Sequence, residues 1–345
     1  MEALLNHSGK QSSYAIAESS GIAAARRAGN TLARAIGFDE IRAGQLAIVI
    51  TEAATNILKH ANHGDIVLRA RAEGNSRGVE VLAIDAGPGM ANVNLHMEDG
   101  HSTAGSYGVG LGAIRRLSQE FDIHSVEGKG TVLLMVLWDH PSGAPHTPWQ
   151  LGVVCLPLAG EEACGDAWAT AGHESLSVCV ADGLGHGPDA AHAADLAVAL
   201  VPARPELGPG ALVALAHDTL RGTRGAALAA LRIDPDKQEL TFAGVGNIAG
   251  CVFNGGAGGG RKHLMSHNGI VGSNLRKVQE FVLPWEPGAL VLLHSDGIGT
   301  RWDLYAYSGL EFCHPSLIAA VLYRDFARQR DDALILVVRH RGDHP

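Results

Sequence analysis

The sequence predicts an α+β protein of two domains. The first is a sandwich with helices over one face of a sheet, and the second an α/β-sandwich with two stacked antiparallel sheets flanked by helices. Three observations support this. The chain has 345 residues, too long for one ordinary core at roughly 150 residues per domain. Hydrophobic residues make up 46% and charged residues 18%, a composition with enough apolar surface to fold throughout. The order of patterns then changes across a break: helices lead in the first half and strands dominate the second.

In the first half, Gly21 to Ile36 and Ile41 to Asn62 carry apolar residues at helical spacing. The strand-like runs DIVLRARAE and VEVLAID follow, then a helix around Gly110 to Ser118 and two more strands ending at Trp138. The break is DHPSGAPHTPWQ at 139–150, whose three prolines remove backbone donors and discourage both helix and central strand. The domains are therefore expected at 10–140 and 151–341, with a linker at 141–150. In the second half the strand-like runs are LGVVCLPL, SLSVCVAD, AALAALRID, ELTFAG, ALVLLHSD and ALILVVR, with helical patterns at Asp189–Val201, Pro209–Arg221 and Pro315–Arg328. The glycine-rich NGGAGGGR at 254–261 is a loop inside this domain.

Composition narrows the function classes. A formal charge of −9 argues against nucleic acid as partner, since phosphate backbones are bound by clustered Lys and Arg. The opening MEALLNHSGKQSSY has neither the basic start nor the apolar run of a signal peptide, and no stretch reaches the roughly 20 apolar residues of a membrane span. A soluble, cytoplasmic protein with no membrane partner is expected. The cysteines, Cys155, Cys164, Cys179, Cys251 and Cys313, are odd in number and form no CxxC pair, which points to reduced thiols.

Two groups of residues carry chemistry. In TEAATNILKHAN, Glu52 and Asn56 are four apart and share one face of a helix, with Lys59 and His60 nearby. A carboxylate beside an amide oxygen can hold hydrated magnesium and accept a proton from a nucleophile. IDAGPGM ends a strand in Asp85 and runs into Gly87 and Gly89, where glycine allows close approach to a planar ligand and the carboxylate can accept from an amino group. GSYGVGLGAIRRL places Gly105, Gly108, Gly110 and Gly112 ahead of a helix, whose first amides and dipole favour phosphate. In the second half, CGDAW holds Asp166, VADGLGHG holds Asp182 and Gly183, HSDGIG holds Asp296 and Gly297, and RDDALILVV holds Asp331 and Asp332. Each acidic site falls at the end of an apolar strand. Converging carboxylates need cations to offset their repulsion, and two divalent ions could activate water for in-line attack on a phosphate ester.

The order Glu-x-x-x-Asn, Asp-x-Gly-x-Gly, Gly-x-Gly-x-Gly resembles the histidine kinase, gyrase and Hsp90 (GHKL) type of ATPase, and in its short length the anti-sigma-factor serine kinases. The resemblance spans about 15 to 138. It implies Glu52 as general base, Asn56 as magnesium ligand, Asp85 as adenine contact, Thr131 as its support, and Gly87, Gly89, Gly108, Gly110 and Gly112 lining ATP, with Ala91 to Ala104 as a short lid. No phosphoacceptor histidine helix is visible, which disfavours a sensor histidine kinase. The second half resembles the type 2C (PPM) serine/threonine phosphatases in their sporulation stage II E-like branch, from about Gly152 to Arg339. It implies Asp182, the Gly183 carbonyl, Asp296 and Asp331 as ligands of two manganese or magnesium ions, with Asp166 nearby or as an outer ligand. Asp332 can stand in for Asp331. His186 resembles the histidine of a DGHG segment, but Leu184 and Gly185 intervene. Together the resemblances imply a bacterial partner-switching regulator acting on the Ser or Thr phosphorylation of an anti-sigma antagonist of the STAS type, or on a similar phosphoprotein or sigma-factor regulatory protein. A phosphatase controlled by a non-catalytic nucleotide-binding or docking domain is the alternative.

Overall fold

The structure is a computed structural model and describes residues 10–93, 110–140, 147–254, 260–275 and 277–341. Two compact units emerge: residues 9–146 together with 304–324, and residues 147–303 together with the stretch from 325 onward. The sequence reading had assigned 304–324 to the C-terminal domain with the rest of 151–341. Among the described residues no helix is long and apolar enough to cross a membrane.

The first unit runs β1 (Gln11–Ile16), α1 (Ser19–Ile36), α2 (Glu40–Asn56), β2 (Gly64–Glu73), β3 (Ser76–Asp85), α3 (Gly110–Leu117), β4 (Glu120–Val126) and β5 (Gly130–Trp138). Its five strands pair in the order β1-β2-β3-β5-β4, all antiparallel. Alternation along the strands divides the sheet into two faces. Ile66, Leu68, Val79, Val81, Ala83, Leu133, Met135 and Leu137 form a core with Leu46, Val49, Ile50, Ala53 and Ile57 of the α2 region and Ala25 and Ala33 of α1. The helix expected to run unbroken from Ile41 to Asn62 is α-helical only to Asn56; a π-helical turn covers Ile57–Ala61, and left-handed Asn62 ends it.

The other face of this sheet is also covered, which is why all nine residues of β5 are buried. Here Arg69 pairs with Glu80 at 2.7 Å and Arg71 with Glu120 at 3.1 Å, while the Arg71 guanidinium lies 5.0 Å over the Trp138 ring. Residues 304–324 supply partners. Ser316 Oγ donates to Glu80 at 3.1 Å, His314 N donates to Asp122 at 2.7 Å, and Lys129 Nζ sits 4.8 Å over the Tyr307 ring.

The second unit holds β6 (Trp149–Leu156), β7 (Asp166–Ala171), β8 (Leu176–Gly183), α4 (Pro188–Val198), α5 (Pro209–Thr219), β9 (Ala226–Asp234), β10 (Glu239–Val245), β11 (Ala249–Phe253), β12 (Arg261–Leu264), β13 (Phe281–Pro284) and β14 (Leu290–His294). After α6 (Pro315–Phe326), β15 (Ala333–His340) completes it. Two five-stranded antiparallel sheets result, β13-β10-β9-β8-β7 and β12-β11-β14-β15-β6. Trp168, Val178, Val180, Leu231 and Phe242 of the first meet Val153, Val252, Leu293 and Leu336 of the second in the core between them. Against the outer face of the first sheet, Ala190, Ala193, Ala194 and Ala197 bring α4 onto Ala181 and Ala230. Small residues on both sides permit that close approach.

Glu80 is 1% exposed and Arg69 4% exposed, so this pair lacks the solvent screening of a surface bridge. Glu80→Ala is expected to lower stability by about 3–5 kcal/mol, because it strands buried guanidinium charge. Arg221→Ala, which breaks an exposed pair with Asp218, should leave the urea midpoint unchanged. Urea denaturation of both variants of the full chain checks the contrast.

Candidate functional sites

Five acidic residues of the second unit meet at one end of its sandwich. Asp166 opens β7 and Asp182 closes β8, and the antiparallel register sets the two directly opposite each other. On the other sheet β14 ends at His294 and β15 starts at Ala333, so Asp296 just beyond one and Asp331 and Asp332 just before the other come to the same end. Asp182, Asp296 and Asp331 line an open cleft of about 540 Å³ with Asn247, Asn268, Gly185 and Ile270.

The glycines beside the carboxylates have a steric duty. A Cβ on Gly183 would collide with the Ala190 carbonyl where α4 begins, and a Cβ on Gly297 would collide with the Asp332 carbonyl. The Asp-Gly pairs thus let two backbone segments close upon the acidic end.

Asp331 and Asp332 separate by environment. Both Asp332 oxygens are engaged, Oδ1 by the Leu158 amide and Oδ2 by the Gly165 amide, each at 2.8 Å, and the residue is buried. Asp331 instead lines the cleft. Asp166 is held by the Ser295 hydroxyl, which donates to its Oδ2 at 2.7 Å while accepting from the Leu334 amide at 3.0 Å. Asn247 Nδ2 donates to Asp296 at 2.7 Å. His186 points its Nδ1 to Glu161 at 2.8 Å and is exposed.

Mutual repulsion is marked. Burial, then the charges of Asp296, Asp331 and Asp332, pushes Asp182 up to about 7. Burial and then Asp182 hold Asp166 well above the usual carboxylate range, against the opposing Ser295 hydrogen bond. Asp331 is raised by burial and then by Asp296 and Asp332. An all-oxygen donor set that resists full ionisation is one that hard divalent cations relieve. Among the described residues no trio of His, Cys, Asp or Glu side chains closes into a preformed cage. An open cleft suits ions that keep much of their water.

In the first unit, α2 and the start of α3 bring the other motifs together. A Cβ on Gly110 would lie 3.0 Å from Glu52 Oε2 and 3.7 Å from Asn56 Oδ1, so both side chains border the first turn of α3. Asp85 ends β3, and its Oδ1 accepts from the Gly87 amide at 2.8 Å and the Thr131 amide at 3.1 Å. Burial raises its pKa, with those two amides opposing. Thr131 Oγ1 meets Ser125 Oγ at 2.8 Å, and Ser125 Oγ accepts from the Met90 amide at 2.9 Å. A Cβ on Gly87 would meet Ala61, and Gly89 has φ +67, so neither position suits another residue. Gly112 is buried in α3. Gly108 and most of the Ala91–Ala104 segment lie outside the described residues.

Sequence reasoning missed Ser295, Asn247 and the arginines Arg328 and Arg330, which with Asp296 and Asp331 line a second hollow beside the cleft. Asn247 follows β10 within GVGN, whereas Ser295 adjoins Asp296 in HSDG and Arg330 adjoins Asp331 in RDDALILVV, so proximity to a motif was an available signal for Ser295 and Arg330.

Fold and sites together define an ATPase-type sandwich carrying the Glu-Asn, Asp-Gly and glycine motifs, and a type 2C phosphatase sandwich with carboxylates at one end. Residues 17–137 match the family described as histidine kinase-like ATPase domain, and residues 172–341 the family described as stage II sporulation protein E (SpoIIE). The serine/threonine-protein kinase RsbT of Bacillus subtilis (strain 168) is 37% identical over 117 residues, which cover 34% of this chain and 88% of RsbT. The phosphoserine phosphatase RsbX of the same organism is 23% identical over 150 residues, covering 43% of this chain and 74% of RsbX. A solved structure from "The bacterial stressosome: a modular system that has been adapted to control secondary messenger signaling" shares 31% identity and a TM-score of 0.51, covering 55% of this chain and 99% of that one. RsbX in complex with magnesium aligns at TM-score 0.50 and 22% identity, over 56% of this chain and 95% of that one, a likeness of fold. The chain belongs to the RsbT-like histidine kinase-like ATPase family through its N-terminal domain, which is fused to a SpoIIE-type phosphatase domain.

Manganese is expected to raise the unfolding temperature of the wild type, by an amount equivalent to about 2.7 kcal/mol at a hundredfold excess over Kd. Asp182→Asn should lose most of that rise. Asp332→Asn should instead lower metal-free stability by about 1–3 kcal/mol, since an amide nitrogen then faces a backbone amide. Thermal scans with and without manganese separate the two effects.

Proposed function

We propose that this chain is a partner-switching regulator that sets the Ser or Thr phosphorylation of a STAS-type anti-sigma antagonist or a similar regulatory phosphoprotein. The C-terminal domain removes phosphate with divalent cations, and the N-terminal domain adds it from ATP. The observation that carries the reading is the meeting of Asp166, Asp182, Asp296 and Asp331 at one end of the sandwich, where burial and neighbouring charge raise the proton affinity of Asp166, Asp182 and Asp331. The names of two relatives, a serine/threonine-protein kinase and a phosphoserine phosphatase, support the opposed pair of activities. A cytoplasmic location follows from the use of ATP.

In the phosphatase half, the Asp182, Asp296 and Asp331 carboxylates and the Gly183 carbonyl would hold two manganese or magnesium ions, with Asp166 as nearby or outer support. Such ions lower the pKa of bound water enough to supply hydroxide for attack on phosphorus. Ser295 and Asn247 fix the rotamers of Asp166 and Asp296. Arg328 and Arg330 at the rim offer donors to the phosphate oxygens of the substrate. Backbone bonds anchor that rim, Arg328 N to Gly297 O at 2.7 Å and Gly299 N to Phe326 O at 2.8 Å.

In the kinase half, Asn56 would ligate magnesium and Asp85 would accept from the adenine amino group, its Oδ1 already fixed by two amides. Gly87, Gly89, Gly108, Gly110 and Gly112 would line the nucleotide, with Thr131 supporting the adenine contact. Glu52, beside the first turn of α3, would take the proton of the substrate hydroxyl.

Intact mass of a candidate STAS partner, after incubation with the full chain, ATP and manganese, tests the reading. With Glu52→Ala the partner should stay unphosphorylated. With Asp296→Ala it should accumulate phosphate, and hydrolysis of the phosphorylated partner should fall at least about a hundredfold. An Asp296→Ala protein that binds Mg-ATP and the partner yet transfers nothing would reduce the N-terminal domain to a nucleotide-binding or docking module.

A further inference from the structure

Two cysteines come together beside the acidic end of the phosphatase sandwich. Cys155 lies on β6 and Cys164 in the turn before β7, and their Sγ atoms are 3.7 Å apart. That is sulfur contact distance, and a disulfide needs about 2.05 Å. Among the described residues the other cysteines have no such neighbour: Cys179 and Cys251 are buried within their strands, and Cys313 directs its thiol to the Gly309 carbonyl.

The pair is tied into the frame of the cleft. Cys155 Sγ donates to the Asp166 carbonyl at 3.5 Å. Cys164 precedes Gly165, whose amide holds Asp332 Oδ2 at 2.8 Å and whose carbonyl accepts from the Gly183 amide at 2.9 Å. Movement of either sulfur therefore reaches Asp166, Gly183 and Asp332 through one or two bonds. Cys155 is buried and Cys164 partly exposed, so an oxidant in solution meets Cys164 first.

We propose that Cys155 and Cys164 form a reversible disulfide with a peroxide oxidant, and that this bond slows the phosphatase by displacing the Gly165–Asp166 backbone. The Cys164 thiolate sulfur attacks hydrogen peroxide and the O–O bond breaks. Cys164 becomes a sulfenic acid, and the departing hydroxide takes up a proton to leave as water. Cys155 sulfur then attacks the sulfenic sulfur, the S–O bond breaks, and that hydroxide leaves as water with the Cys155 proton. Two thiols give up two electrons to one peroxide, yielding one disulfide and two waters. A thiol reductant reverses the bond by exchange.

The consequence for hydrolysis rests on the phosphatase reading above; the linkage itself does not. The full chain is treated with hydrogen peroxide, digested without reduction and mapped by mass, and manganese-dependent hydrolysis of p-nitrophenyl phosphate is followed in parallel. The expected result is a Cys155–Cys164 linked peptide with hydrolysis reduced about a hundredfold, as backbone displacement near a reacting centre of an ångström or so would cause, both reversed by dithiothreitol. Cys164→Ser, at a partly exposed position, should match the untreated wild type and resist peroxide. Cys155→Ala should resist equally, and Cys313→Ser should respond as the wild type does. Absence of the linked peptide, or equal peroxide inhibition of Cys164→Ser and wild type, overturns the proposal. A linked pair with undiminished hydrolysis overturns its control of activity. A chain that never hydrolyses the ester but still forms the link fails the phosphatase reading and leaves the disulfide standing.

Discussion

Repulsion among carboxylates crowded at one end of the sandwich is the constraint around which the phosphatase half is arranged. Asp166 and Asp182 face each other across a β-ladder, and Asp296 and Asp331 approach from the second sheet into the same cleft. Burial and neighbouring charge together raise the proton affinity of Asp166, Asp182 and Asp331, so keeping the acids together costs stability. The surrounding structure serves to hold them there. Asp332 is consumed as a clamp on Leu158 and Gly165, Ser295 links Asp166 to the start of β15, and two glycines let backbone segments close where a side chain would stand.

Much of this was legible in the sequence, for a physical reason. A carboxylate at the end of an otherwise apolar strand is visible in one dimension, and Asp182 and Asp296 carry a glycine beside them. The choice between Asp331 and Asp332 was not visible, because the two stand side by side just before β15 and only the fold shows which of them meets the Leu158 and Gly165 amides. Asn247 and Arg328 lie outside every acidic motif, and only the folded chain brings them to the site; Arg330 opens the RDDALILVV motif, but nothing in one dimension marks its place on the rim. Of the fold, strands that lie in continuous apolar runs, such as β5, β8, β14 and β15, were plain. The short β11, β12 and β13, the partly exposed β1, and β7, six residues long with three alanines, were not, since runs of that length and composition carry little periodic signal.

The nucleotide half shows a different division of labour. Its motifs are loose one by one, and their meaning depends on meeting in space: the first turn of α3 lies against Glu52 and Asn56, and Thr131 on β5 closes on Asp85 from a neighbouring strand. The π-helical turn after Asn56 could not be read from the Ala- and Ile-rich pattern, which is equally compatible with a continuing α-helix.

The hardest feature to read was the membership of residues 304–324. Helical periodicity marked Pro315–Arg328, but Pro315 to Leu322 are all buried, and a helix apolar all round carries no stripe to say which sheet it serves. The structure groups it with the N-terminal sheet, where Ser316 meets Glu80 and Arg324 donates to the Asp85 carbonyl at 3.2 Å. The sheet face around these contacts includes Val67, Leu82, Leu134 and Val136, each no more than 1% exposed. These apolar residues sit on the side of the sheet away from α1 and α2, and residues 304–324 lie against that side. The ATPase-like sheet is therefore completed by a segment from the far side of the phosphatase sequence. Its boundary is a property of packing, and a cut at the proline-bearing linker would divide one hydrophobic unit.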